Sequence, residues 1–106
     1  MGWYVWNNTI SGYTSGTKPV AQKQANRWGL YDMHGNVYEW CQDGYADYPA
    51  GPVTDPQGFN YHFIDVVRGG SWSNEARYER SAYRYGAFKG YRFYDLGFRL
   101  ALPPGQ

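Results

Sequence analysis

The stretch GLYDMHGNVYEWCQD, residues 29–43, constrains the fold of this chain more than any other. Gly35-Asn36 is a turn signal, because both residue types tolerate the backbone conformations that tight turns demand. Val37-Tyr38-Glu39-Trp40-Cys41 then reads as a short strand. Successive strand side chains alternate, so Val37, Glu39 and Cys41 share one face. Glu39 is thereby set among apolar neighbours. A carboxylate in that position needs a partner, either an arginine or a metal ion.

The rest of the chain is punctuated too often for long elements. Fourteen Gly and six Pro imply many turns. GWYVWNNT near the start suggests one short strand, and SGYTSGTKPV reads as turn and loop. ADYPAGPVTDPQGFNYHF is loop, with three Pro and two Gly. IDVVRGGSW returns to strand at Val66-Val67, and Gly69-Gly70 allows another backbone to approach closely. DLGFRLAL reads as a terminal strand stopped by PPGQ. The expected class is α+β: irregular, with short antiparallel strands, long loops and room for one short helix. At 106 residues the chain is one domain, 1–106, with residues 1–17 a less certain N-terminal extension.

Aromatic residues make up 21% of the chain against 42% for all hydrophobic types, so aliphatic side chains are too few for a thick core. Flat rings must be buried instead, and their polar edges need hydrogen-bond partners. The net charge of +1 gives no general case for nucleic acid or an anionic membrane. Charge is nevertheless uneven: residues 1–67 carry three Lys/Arg against six Asp/Glu, and residues 68–106 carry seven against three. A single cysteine, Cys41, excludes an intrachain disulfide and any cysteine-rich zinc site. No apolar run is long enough to span a membrane, and no basic start precedes an apolar core as in a signal peptide.

Several segments occur in a telling order: GLYDMHGNVYEW, DPQG, VVRGGSW, RSAYR and LGFRLAL. Together they resemble the C-terminal half of the domain typified by formylglycine-generating enzyme, the sulfatase-modifying factor family, from about residue 18 to 102. The resemblance implies a C-type-lectin-like architecture and a whole domain about twice this size. It also implies a structural calcium ion in the opening loop, held by the side chains of Asp32 and Glu39 and the carbonyls of Gly35 and Val37. Calcium favours such mixtures of carboxylates and carbonyls. The plainer alternative is that Asp32 caps a turn, Asn36 makes an Asx turn, and Glu39 pairs with an arginine from the basic half.

The family's namesake activity rests on copper held by two cysteines shortly after GGS, and soft thiolates are what Cu(I) selects. Here that region reads GGSWSNEARYERSAYR, with no cysteine and with Asn74 where the first is expected. The stretch before Arg80 is also shorter than in the enzymes. No catalytic residue and no copper are therefore expected. Cys41 reads as a small buried hydrophobe. His34 and His62, with Asp65 near the latter, make a two-histidine iron site conceivable, but their spacing gives it no support.

The last third interleaves aromatics with Arg and Lys. Arg80, Arg84, Phe98 and Arg99 read as residues that tie the fold together. Tyr85, Phe88, Tyr91, Arg92, Phe93 and Tyr94 are the candidate ligand-binding surface, since Tyr and Arg give large contact area and hydrogen bonds at low entropic cost. The expectation is a non-catalytic ligand- or protein-binding domain. The alternative is part of a formylglycine-generating-type oxidoreductase completed by another half or chain. Half a domain should leave an aromatic surface uncovered, so self-association is expected, most simply as a two-fold homodimer.

Overall fold

The computed structural model describes residues 2–9, 15–47, 50–53, 63–102 and 105. His62 and the DPQG segment lie outside the described residues. Four strands form one sheet: β1 (Tyr38–Gly44), β2 (Ile64–Arg68), β3 (Arg84–Phe88) and β4 (Leu96–Gly97), in the order β3-β2-β1-β4. β1 and β3 both run antiparallel to β2, with Trp40 opposite Val67 and Tyr85 opposite Val67. The β1–β2 register shifts between Trp40 and Gly44. β4 runs parallel to β1, with Tyr38 opposite Leu96.

The sheet is therefore mixed, which corrects the expectation of antiparallel strands throughout. The terminal strand is also shorter than the pattern of residues 95–102 suggests. Beyond Gly97 the chain leaves the sheet, and Arg99 bonds loop carbonyls instead of continuing the ladder. GWYVWNNT is not a strand. Trp3 makes one isolated parallel bridge to Gly35, and residues 5–7 form a turn. β3 arises from a segment read as interleaved aromatics and arginines and not as a strand. Among the described residues the one helical element is the 3-10 turn Ala76–Glu79, and none of them forms a helix long and apolar enough to cross a membrane.

Alternation along the strands sorts the sheet into two faces. The registers put Tyr38, Trp40, Val67, Tyr85 and Ala87 on one face, and Glu39, Cys41, Val66 and Arg84 on the other. Both faces of β2 are covered, since Val66 and Val67 are each 2% exposed. Among the described residues only Trp3 and Ala87 join them as buried hydrophobic residues. Among the described residues most rings are exposed, while the half-buried Tyr78 sits edge-on to Tyr83 at 5.0 Å. The accessible surface is 8128 Å2, against roughly 6,000 Å2 for a compact chain of this mass. Phe98, Leu100 and Leu102 are among the most exposed apolar side chains.

Asn36 joins the pieces. It is buried and sits at φ 67°, a left-handed conformation that Asn tolerates better than most residues. Its Oδ1 accepts the Lys18 N–H at 2.9 Å and its Nδ2 donates to the Lys18 carbonyl at 3.0 Å. Its backbone N–H donates to Trp3 O at 3.1 Å, and its carbonyl accepts the Trp72 N–H at 2.8 Å. One residue thus ties three distant segments to the end of the opening loop. Asn36→Ala would strand the buried polar groups of Lys18 and place Ala at positive φ, and should cost about 3 kcal/mol or more. Asn36→Asp keeps the acceptor and should cost less. Chemical denaturation of the three proteins checks this ranking; equal stability of Asn36→Ala and the parent contradicts it.

Candidate functional site

In the opening loop, Glu39 has an arginine partner. Arg99 grips its carboxylate with two contacts, Nε to Oε2 at 2.5 Å and Nη2 to Oε1 at 2.7 Å. The same guanidinium donates to the carbonyls of Tyr31 at 2.9 Å and Asp32 at 2.8 Å. Bonding to Glu39 pushes the pKa of Arg99 further above its already high value. Asp32 adopts φ 55°, and its Oδ2 accepts the Ala21 N–H at 2.8 Å. Gly35 donates its N–H to Gly69 O at 2.6 Å, and the Val37 carbonyl also lies near Gly69.

Calcium would need about six to eight oxygens around one point. Here both oxygens of Glu39 are held by Arg99, and among the described residues only Asp32 Oδ1 is buried in this loop without a hydrogen-bond partner. A guanidinium already neutralises Glu39 and gathers two of the loop's carbonyls. This donor set does not fit calcium unless Arg99 is displaced.

The second candidate is a pocket of about 360 Å3 on the Val67 face of the sheet. Tyr38, Val67, Tyr85 and Ala87 form its floor, the 3-10 turn contributes Tyr78, and Tyr83, Tyr91, Phe93 and Asp95 complete the wall. The Tyr38 N–H donates to Asp95 O at 2.7 Å, which fixes Asp95 beside the pocket. The Asp95 carboxylate is oriented from behind: its Oδ2 accepts the Ser71 hydroxyl at 3.0 Å and the Ser73 hydroxyl at 3.3 Å. Burial, a hydrogen bond with Tyr83 and the negative charge of Asp95 together push the Tyr38 hydroxyl well above the usual tyrosine range.

Of the candidate ligand residues, Tyr85, Tyr91 and Phe93 line this pocket, whereas Phe88, Arg92 and Tyr94 do not. Tyr94 packs at a tilt against Phe93 at 4.2 Å and Trp72 at 5.6 Å, and so supports the wall from outside. Phe98, expected as a fold residue, is 74% exposed. Arg84 lies over the Tyr45 ring at 5.0 Å, and Arg80 donates to the Arg77 carbonyl at 2.9 Å. Ser71, Asp95 and Asn74 were not singled out as binding residues. The GGS motif contained the signal for Ser71, while the pairing of residue 95 with Tyr38 has no local signature.

Where the copper ligand is expected, Asn74 Oδ1 accepts the N–H of Ser71 at 3.1 Å and lies 2.8 Å from its hydroxyl oxygen, whose one proton it shares with Asp95. An amide locked to a serine offers no thiolate, so these residues do not fit Cu(I). Cys41 sits half-buried in β1, where burial raises its pKa and makes it a poorer thiolate. His34 Nδ1 donates to the Glu79 carbonyl at 2.5 Å. Glu79 itself is wedged among glycines. A Cβ on Gly2 would lie 2.7 Å from its Oε2, one on Gly70 would lie 2.9 Å from its Cγ, and one on Gly35 would collide with its Oε1. Burial raises its pKa to about 7, against an opposing pull from Lys23.

These features define a turn-rich domain with a mixed sheet and few helices, whose motif segments contribute Tyr38, Val67, Tyr83 and Leu96 to the aromatic pocket. The chain belongs to the family described as the sulfatase-modifying factor enzyme 1-like domain, which it matches over residues 1–103. It is 40% identical over 93 residues to the serine/threonine-protein kinase pkn1 of Chlamydia caviae, covering 84% of this chain and 15% of that protein. It is 40% identical over 80 residues to the formylglycine-generating enzyme of Thermomonospora curvata, covering 64% of this chain and 26% of the enzyme. Treponema denticola variable protein 1 superposes with a TM-score of 0.80 at 39% identity, over 92% of this chain and 34% of that one. PvdO from Pseudomonas aeruginosa gives 0.78 at 30% identity, over 92% and 37%. The chain thus spans well under half the length of the relatives named.

Two outcomes follow from the opening loop and from Glu79. Calcium should not raise the melting temperature of the parent protein, because Arg99 holds Glu39. Arg99→Ala should melt lower, and calcium should recover part of the loss. A calcium-dependent rise in the parent, abolished by Asp32→Ala and Glu39→Ala, would instead make this a metal loop. The protonated form of Glu79 is favoured by folding, so its contribution is full below about pH 4.5 and disappears as pH rises through about 7. Melting temperature should fall between about pH 5 and pH 8, by an amount equivalent to roughly 2–3 kcal/mol. Glu79→Gln should flatten that slope, and an unchanged slope in the variant would assign the effect elsewhere.

Proposed function

We propose that this chain is a non-catalytic ligand-binding domain with a C-type-lectin-like architecture, and that its ligand occupies the aromatic pocket on the Val67 face. The observation that carries this reading is the convergence of sheet, 3-10 turn and residues 91–96 on one pocket, backed by the GGS serine through Asp95. Its volume falls within the roughly 300–1,000 Å3 range of small-molecule sites. Asn74 in place of a thiolate supports the absence of copper chemistry. We also propose that a second copy covers part of the exposed apolar surface, including Leu100 and Leu102.

The competing reading is a share in a formylglycine-generating-type oxidoreductase completed by another half or chain. It draws on the similarity to the enzymes of that name. The test is an NMR fragment screen that follows the tyrosine resonances, with Cu(I) competition against a chelator and light scattering on the same sample. Fragment shifts centred on Tyr38, Tyr83 and Tyr91, weak Cu(I) retention and a dimer are expected. Tight stoichiometric Cu(I) binding would favour the oxidoreductase, and a monodisperse monomer at high concentration would remove the dimer.

A further inference from the structure

The chemistry of the pocket wall selects among ligands. Its rings are mostly tyrosines, whose faces carry negative electrostatic potential. Tyr38 and Tyr85 approach at 6.3 Å, and Tyr91 and Phe93 stack at 5.7 Å with planes 25° apart. Among the described residues that line it, Asp95 carries the only formal negative charge, and none is lysine or arginine. Arg77 lies over the lining ring of Tyr78 at 4.7 Å and is paired with Glu75 at 3.2 Å. This contrasts with the basic character of residues 68–106 as a whole. A basic segment thus contributes no lysine or arginine to the described lining of this pocket.

We propose that this pocket receives an organic cation, an alkylated ammonium group seated against the tyrosine rings and paired with Asp95. The proposal rests on the reading of the pocket as the ligand site and adds its chemical class. Ring faces attract a desolvated cation through the aromatic quadrupole, and a quaternary ammonium costs less to desolvate than a small hard ion. Asp95 is suited to the pairing because the two serine hydroxyls fix its orientation before any ligand arrives. An anion would face the Asp95 carboxylate, which opposes further negative charge. The ammonium group has two plausible carriers, a free small molecule or a trimethylated lysine side chain.

The test is a titration of the full chain, by NMR or calorimetry, with three probes: choline, its uncharged carbon isostere 3,3-dimethylbutan-1-ol, and acetyl-trimethyllysine amide. Choline should bind at the pocket resonances and the isostere should bind at least about tenfold more weakly, since only the cation gains the ring and carboxylate attraction. Asp95→Asn should lower choline affinity about tenfold. Tyr91→Ala, at an exposed ring that leaves the fold intact, should do the same, which covers the case in which Asp95→Asn fails to fold. Tighter binding of the lysine derivative than of choline would identify a side-chain ligand, and the reverse a free one; either supports the proposal. Equal binding of choline and the isostere, or pocket shifts from neutral or anionic fragments without any from choline, overturns the cation while leaving a ligand pocket. No shift from any probe or fragment overturns both.

Discussion

The hydrogen-bond cross made by Asn36 is the constraint on which the rest of the structure depends. With four buried hydrophobic residues among those described, core burial alone cannot hold the loops. Polar connections must do part of that work. Asn36 supplies four of them at once, to Trp3, Lys18 and Trp72. Because these partners are buried or nearly so, losing any one leaves an unmet polar group, which costs more than the bond contributed. The turn is therefore specific in a way that a merely flexible Gly-Asn loop would not be.

From that cross the connections run to the pocket. The Trp72 N–H bonded to Asn36 belongs to the GGSW motif, and the preceding Ser71 is completely buried with its hydroxyl on Asp95. The Asp95 carbonyl in turn receives the Tyr38 N–H at the start of β1. Gly70 permits this route: it sits at φ 70°, and a Cβ there would lie 2.8 Å from the Tyr78 carbonyl. Turn, motif serine, carboxylate and strand form one chain of contacts around the tyrosine wall. The pocket is thus preorganised by the same bonds that hold the fold, which lowers the entropic cost of binding.

Much of this was legible in the sequence, and what was missed has a physical pattern. The need of Glu39 for a partner followed from strand alternation, and of the two partners considered Arg99 supplies it. The resemblance carried by GLYDMHGNVYEW, VVRGGSW and LGFRLAL identified the family over most of the chain. Val66-Val67 marked β2 because both faces of a central strand need apolar cover. The failures lie where partners are remote. The parallel pairing of β4 with β1 joins residues 38 and 96, and Asp95 acquires its position through that pairing. Glu79 has no local signature in its basic segment, yet three glycines bring backbone close enough to bury it. No local pattern encodes such placements, since residue type sets what a group needs and topology decides what it meets.

Native-state hydrogen exchange of the Lys18, Asn36 and Trp72 amides tests the central role of Asn36 most directly. These three amides should exchange together, as slowly as the Val66 and Val67 amides of the central strand, because they open only when the whole domain unfolds. Fast, loop-like exchange at Lys18 and Trp72 with the sheet still protected would contradict it, and would leave Asn36 as a local turn residue with no hold on the fold.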